Sequence, residues 1–374
     1  MSPETQHHAA FWLLGLINSM PFVIMMAGAK DIDSGGVGVV YLCQILPGLL
    51  VQATGPYWFH LVSYRTRLYL SALCMTLSFV SVVWGYQTSL ALQLFGVVLS
   101  GFQSALGESS LLAYASLFDV RLCLSYWSSG SGCAGVMGYV WFAGLTALFD
   151  VQIALLLALV FPVLFVIIFE TMFSAKSVES LPLIHDAPTD VLCLRDGLQL
   201  TLTLWPYMLP LAAVYAAQYA AQTGPWSAIG FPLESAVARV AFYRDAGTAW
   251  GFGVFVGRST GALHQIHRLG LMLMSVSQLG LLVFFWLVAA YQVLYSMWLL
   301  LPCFLMGCLG GAVYAHAFTL LAEEVAPVHR EFALAAASVA MSIGQIAADI
   351  VGLSMQGCLY SMHRLPGATF HMAC

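Results

Sequence analysis

The feature that most restricts the fold of this chain is a recurrent apolar run of about 20 residues, interrupted only by short polar turns. Each run is long enough to cross a hydrocarbon layer of roughly 30 Å as an α-helix. A water-facing core cannot absorb so many runs, because 61% of the residues are hydrophobic and only 8% are charged. Ordinary soluble domains carry roughly 25% charged residues. A β-barrel would need short alternating segments, which are absent. The expected fold class is therefore an all-α polytopic membrane protein.

The runs lie near 9–29, 37–59, 68–88, 90–117, 122–148 and 151–173. A polar stretch from Ser174 to Gly197 follows, and further runs lie near 199–223, 238–260, 269–290, 292–321 and 331–358. This predicts about 11 transmembrane helices (11–12) in two bundles. The expected domains are an N-terminal six-helix bundle (1–173), a central loop (174–198) and a C-terminal bundle of about five helices (199–374). Two pseudo-symmetric halves around a midplane site are the layout of many secondary transporters, although no repeat is visible between these halves. The first run is long and has no basic leader, so it reads as a span rather than a cleaved signal.

Basic residues give an orientation. Arg65, Arg67, Arg121, Lys176, Arg195, Arg258, Arg268 and Arg330 fall at the even-numbered loops. Only Lys30, Arg239 and Arg244 fall at the odd ones, and Arg364 lies beyond the last run. The bias places the N-terminus and the central loop in the cytoplasm.

Several classes of function find no support. The net charge of -5, without a basic patch, gives no reason to expect a nucleic-acid partner. The nine cysteines are scattered, mostly within apolar runs, and read as small filler rather than a zinc or redox set. Gly130-x-Gly132-x-x-Gly135, with Asp150 beyond it, matches a dinucleotide pattern. Inside an apolar span it lacks the strand and βαβ context, so no cofactor is expected. No P-loop, HExxH, nucleophile elbow or kinase signature is present, and an enzyme is not expected.

The candidate site residues are polar groups inside apolar runs. On the fourth span, Ser100, Gly101, Gln103, Ser104, Gly107 and Glu108 share one broad helical face. An acid within the membrane is a functional candidate by default, and Glu108 is the expected proton carrier, with Asp349 as the second. Gly130, Ala134 and Gly138 recur at four-residue spacing on the fifth span, beside Ser131 and Gly135, and read chiefly as a packing ridge. Ser128, at the start of that span, is a candidate cavity residue. Tyr215, Gln218, Tyr219 and Gln222 form a polar stripe on the seventh span. Arg258 reads either as a clamp for an anion or as an interfacial anchor. Asn18, Tyr314 and His316 complete the expected cavity lining, which comes from the first, fourth, seventh and tenth spans. Glu324, His329, Arg330 and Glu331 read as a gate latch or a solvated turn. In the central loop, Glu179, Leu183 and Ile184 have the form of an acidic dileucine signal, with sorting adaptors as the implied partners.

These motifs resemble the battenin family of lysosomal and vacuolar membrane proteins, which are related to the major facilitator superfamily. The resemblance covers about residues 10 to 355. It rests on FWLLGL (Phe11–Leu16), LGE (Leu106–Glu108), WSSGSGCAG (Trp127–Gly135) and VYAAQYAAQTG (Val214–Gly224). It continues in GRS (Gly257–Ser259), GGAVY (Gly310–Tyr314) and HREFA (His329–Ala333). It implies a major facilitator-like fold in an endolysosomal or vacuolar membrane. It also implies export of glycerophosphodiesters, with basic amino acid transport and regulation of vacuolar pH as other family proposals. An anionic phosphodiester would suit Arg258, and proton coupling would suit Glu108. The chain departs from the family at Gln218, where an acid is usual, and at its end, where Cys374 does not form a prenylation box. The rival expectations are a non-transporting membrane regulator of pH and trafficking, and a basic amino acid carrier. The partners expected are membrane lipid and a small anionic solute.

Overall fold

Long helices form wherever the apolar runs lie, because backbone groups in lipid must be satisfied within the segment itself. A computed structural model describes residues 3–32, 37–86, 88–115, 117–173, 194–263, 266–326 and 329–366. Among them are only helices, turns and bends. We label the long helices α1 (Pro3–Ala27), α2 (Val37–Trp58), α3 (Tyr64–Gly85), α4 (Leu90–Ala115) and α5 (Val120–Thr146). The sixth span is broken into α6 (Val151–Leu157) and α7 (Val160–Met172). Then follow α8 (Leu194–Thr203), α9 (Trp205–Thr223), α10 (Ala236–Ser259), α11 (Arg268–Tyr291), α12 (Leu300–Glu324) and α13 (Arg330–Met362).

Eight described helices are apolar and long enough to cross a membrane, or nine if the bent pair α8 and α9 is one span. The helices α5 and α10 are as long but richer in Ser, Gly and charged residues. Counting both gives the eleven spans read from the sequence. The extra polarity has a use, because α5 and α10 pack on each other across the molecule's middle.

Three local details depart from the predicted spans. The seventh span is bent by 73° between α8 and α9. Pro206 sits in the first turn of α9, where its missing N–H and its ring prevent a straight continuation from α8. The tenth span starts at Met297, with its α-helical part from Leu300, and not near 292, because Gln292 and Leu294 take left-handed backbone conformations that end α11. Finally, six cysteines are free thiols in helices, whereas Cys358 is disulfide-bonded and so is not mere filler.

The fold is two helical bundles. In the first, α1 packs along α5, and α4 packs along α2 and α3. In the second, α10 packs along α12, and α9 packs along α11 and α13. The bundles meet through α5 with α10 and through α2 with α13. Small residues make the closest pairings possible. A Cβ on Gly130 would sit 2.0 Å from the Trp12 carbonyl oxygen, and one on Gly253 would sit 2.0 Å from that of Phe304. At such separations only glycine lets the backbones touch.

Candidate functional site

Helices α2, α4, α5, α9, α10 and α13, together with α1, enclose a cavity of about 110 Å³ between the two bundles. Its polar lining includes Gln52, Glu108, Ser131, Tyr215, Arg258 and Ser342. Aromatic walls come from Phe22, Tyr219 and Trp250.

Arg258 occupies the last turn of α10 and points back into this cavity. One Nη donates to Ser131 Oγ at 2.5 Å, and the other donates to Tyr215 OH at 3.1 Å. Its guanidinium carbon lies 3.8 Å from the centre of the Tyr314 ring, a cation–π stack. These partners are all neutral. No carboxylate among the described residues forms a salt bridge with Arg258. A permanent cation held in a low-dielectric cavity by neutral groups favours an anion that can accept from its fork.

Glu108 supplies the opposite charge nearby. Tyr314 OH donates to Glu108 Oε1 at 2.7 Å, so one tyrosine touches both charged groups, the acid through its hydroxyl and the arginine through its ring. The link also joins α4 of the first bundle to α12 of the second. The small face of α4 explains how Glu108 is placed. Gly101, Ser104 and Glu108 line the cavity, whereas Gln103 and Gly107 turn to α1.

The other candidate residues fall into two groups. Asn18 does not line the cavity: it donates to the Ser104 carbonyl at 3.1 Å, accepts from Gln103 Nε2 at 3.0 Å and fills the space over Gly107. Its neighbour Ser19 lines the cavity instead. Gln218 accepts from Trp250 Nε1 at 3.2 Å and packs on Gly310, and the wall of the cavity beside it is Tyr215 and Tyr219. Ser128 is buried, and its carbonyl accepts from Ser131 Oγ at 3.0 Å. His316 is buried and lies 3.1 Å from Thr260 Oγ1. These four support the walls rather than form them. Asp349 is fully buried, and neither of its oxygens has a hydrogen-bond partner among the described residues.

Contacts between the bundles lie at both ends. At the face where α1 and α13 begin, Arg121 pairs with Glu323 at 3.4 Å, joining α5 to α12. Glu324 instead pairs within the second bundle, with Arg268 and Tyr207. His329 occupies the N-cap position of α13 without a side-chain capping bond, and Arg330 is the first residue of the helix. The side chain of Glu331, like Glu179, Leu183 and Ile184, lies outside the described residues. Toward the opposite face, Tyr41 OH and Tyr243 OH are 2.6 Å apart, joining α2 to α10. Midway, Ser342 Oγ donates to Gln52 Oε1 at 2.6 Å, joining α13 to α2.

Sequence reasoning missed Gln52, Ser342, Gln345 and Trp250, all of which line the cavity. A signal for the first existed. Gln44 and Gln52 are eight residues apart in one apolar run, which puts them on the same helical face.

Two helical bundles with a polar cavity between them make a major facilitator-like fold. The solved structures agree on the fold. One is the human organic anion transporter MFSD10 (TETRAN), with a TM-score of 0.64, 16% identity and 97% of both chains covered. Another is a bacterial homolog to the human lysosomal transporter Spinster, with a TM-score of 0.60 and 13% identity, covering 96% of this chain and 84% of that one. A family model described as CLN3 protein matches residues 9–191 and 189–362. The chain is similar to Protein BTN1 of Yarrowia lipolytica, 31% identical over 95% of each chain. It is also similar to Battenin of Canis lupus familiaris, 29% identical over 96% of this chain and 92% of that protein. The chain belongs to the CLN3 protein family.

Proposed function

We propose that this chain is a transporter that moves a small anionic solute through the central cavity by alternating exposure of the site. The observation that carries this reading is Arg258, a fixed cation inside the cavity whose hydrogen-bond and stacking partners are all neutral, with the Glu108 carboxyl nearby but not paired to it. A phosphodiester monoanion fits that fork, and a glycerophosphodiester is the class we assign. Glu108 shares Tyr314 with Arg258, so binding of an anion and loading of a proton are felt by the same hydroxyl and ring. Proton coupling therefore runs through Glu108, with Asp349 as a second buried acid outside the cavity lining. The positive-inside bias and the family's vacuolar and lysosomal character support an endolysosomal membrane with the N-terminus cytoplasmic. On that orientation the Arg121–Glu323 pair closes the cytoplasmic mouth, and export runs from an acidic lumen. The dileucine-like motif at Glu179, Leu183 and Ile184 would address the protein through sorting adaptors. A basic amino acid is disfavoured as cargo, because the cavity holds one acid and already contains a cation.

The test is flux of a labelled glycerophosphodiester in proteoliposomes, with and without a pH gradient acidic on the substrate side. Wild type should respond to the gradient. Arg258→Ala should abolish flux, and Glu108→Gln should remove the gradient response. Flux indifferent to Arg258 would place the anion site elsewhere. A gradient response retained in Glu108→Gln would refute the proton role. A folded protein that carries nothing would favour a regulator of pH and trafficking that does not transport.

A further inference from the structure

Three cavities meet at one side chain. Gln52 of α2 lines the central cavity, a small space of about 20 Å³ beside Phe59 and Leu112, and a cleft of about 170 Å³. The cleft lies between α2, the bent α8–α9 pair and the first turns of α13. Its walls are chiefly apolar and include Leu198, Met208, Phe332, Ala336 and Val339. Its rim is exposed, with Tyr57 in the last turn of α2 at 45% and Leu198 near the start of α8 at 59%. Between the cleft and the central cavity stands the Ser342–Gln52 hydrogen bond, and both of these residues also line the central cavity. The Ser342–Gln52 contact thus stands between an apolar recess with an exposed rim and a polar chamber containing Arg258.

We propose that this cleft holds the acyl chain of a lysophospholipid whose phosphodiester headgroup sits at Arg258. The proposal rests on the anion site described above and assigns an additional substrate class to it. The argument is one of continuity and polarity. A fully polar solute gains nothing from an apolar recess beside its site. A single-chain amphiphile gains a great deal, because its tail is held among apolar walls while its headgroup enters the polar chamber. Among the described residues the other space beside Gln52, about 20 Å³, is too small for a second chain. The same phosphodiester chemistry is presented by the tailless glycerophosphodiester, so the tail is what must be tested.

The probe is a lysophosphatidylcholine carrying a photoreactive diazirine in its acyl chain, added to the full-length protein in lipid nanodiscs. Adducts are mapped by mass spectrometry. Labelling is expected on the segments 197–208 and 332–339, and excess glycerophosphocholine should suppress it by competing for the headgroup site. Arg258→Ala and the cleft-filling Val339→Trp should each lower it about tenfold, whereas Val283→Trp, on lipid-facing α11, should leave it unchanged. Adducts spread evenly over the lipid-facing helices, or insensitive to glycerophosphocholine, would overturn the proposal. Wild-type labelling alone decides this if a variant misfolds. In that event Arg258-dependent glycerophosphocholine flux would still stand, so the two readings fail separately.

Discussion

At the scale of single residues, Arg258 and Asp349 are opposites. Arg258 is satisfied by Ser131, Tyr215 and the face of Tyr314, and geometry matters as much as charge. A lysine keeps the charge but cannot fork to both oxygens. Arg258→Lys should therefore lower flux about tenfold or more, with proteoliposome uptake as the readout. Wild-type rates would mean that charge alone suffices. Asp349 has no hydrogen-bond partner among the described residues, so its carboxyl adds cost rather than stability. Asp349→Leu should hold or raise thermal stability, by up to about 2 kcal/mol. A clear fall in melting temperature would show that the carboxyl has a structural partner. Both residues were legible in the sequence because an ionisable group in an apolar run stands out. Tyr314 was expected among the cavity walls, but neither it nor the rest of the tenth span lines the cavity, and its place as the bridge between the two charges depends on how α4 and α12 are juxtaposed. Ser342 and Gln345 were not legible, since a lone neutral side chain in a helix of mixed polarity gives no local sign of which way it faces.

At the scale of helices, the order and approximate number of the long helices followed from run length, because hydrocarbon thickness fixes how many residues cross. Breaks within spans did not follow. The division at Leu157 and Val160 and the bend at Trp205 depend on local proline and packing choices that leave mean hydropathy untouched. The pairing of α10 with α12 depends on mutual glycine contacts. A Cβ on Gly307 would lie 2.1 Å from the Trp250 carbonyl oxygen, which is backbone and cannot swing away. Gly307→Ala should cost about 1–3 kcal/mol in thermal unfolding. Gly280 on α11 has nothing within 4 Å of its Cβ position, so Gly280→Ala should be neutral or stabilising by up to about 1 kcal/mol. Equal melting temperatures for the two variants would contradict the packing described for α10 and α12.

At the scale of the whole molecule, the bundles touch through few polar contacts, and these are where conformational bias resides. Arg121 and Glu323 are 44% and 31% exposed, so their pairing adds at most about 1 kcal/mol to stability. That small energy is still enough to shift an equilibrium between open and closed mouths several-fold. Arg121→Glu should change transport with little change in melting temperature, and the exchanged pair Arg121→Glu with Glu323→Arg should restore it. Failure of the exchange to rescue would remove the pair from gating. Two features outside this contact set the mechanics. The close seams of α1 with α5 and of α10 with α12 bring backbone against backbone, leaving no compressible side-chain layer between the members of either pair. Each pair therefore behaves as a single stiff beam. The bundles that carry these beams touch each other where α5 meets α10 and where α2 meets α13, and the second of these joints rests on a side-chain contact, Gln52 with Ser342, that a single substitution can loosen or tighten.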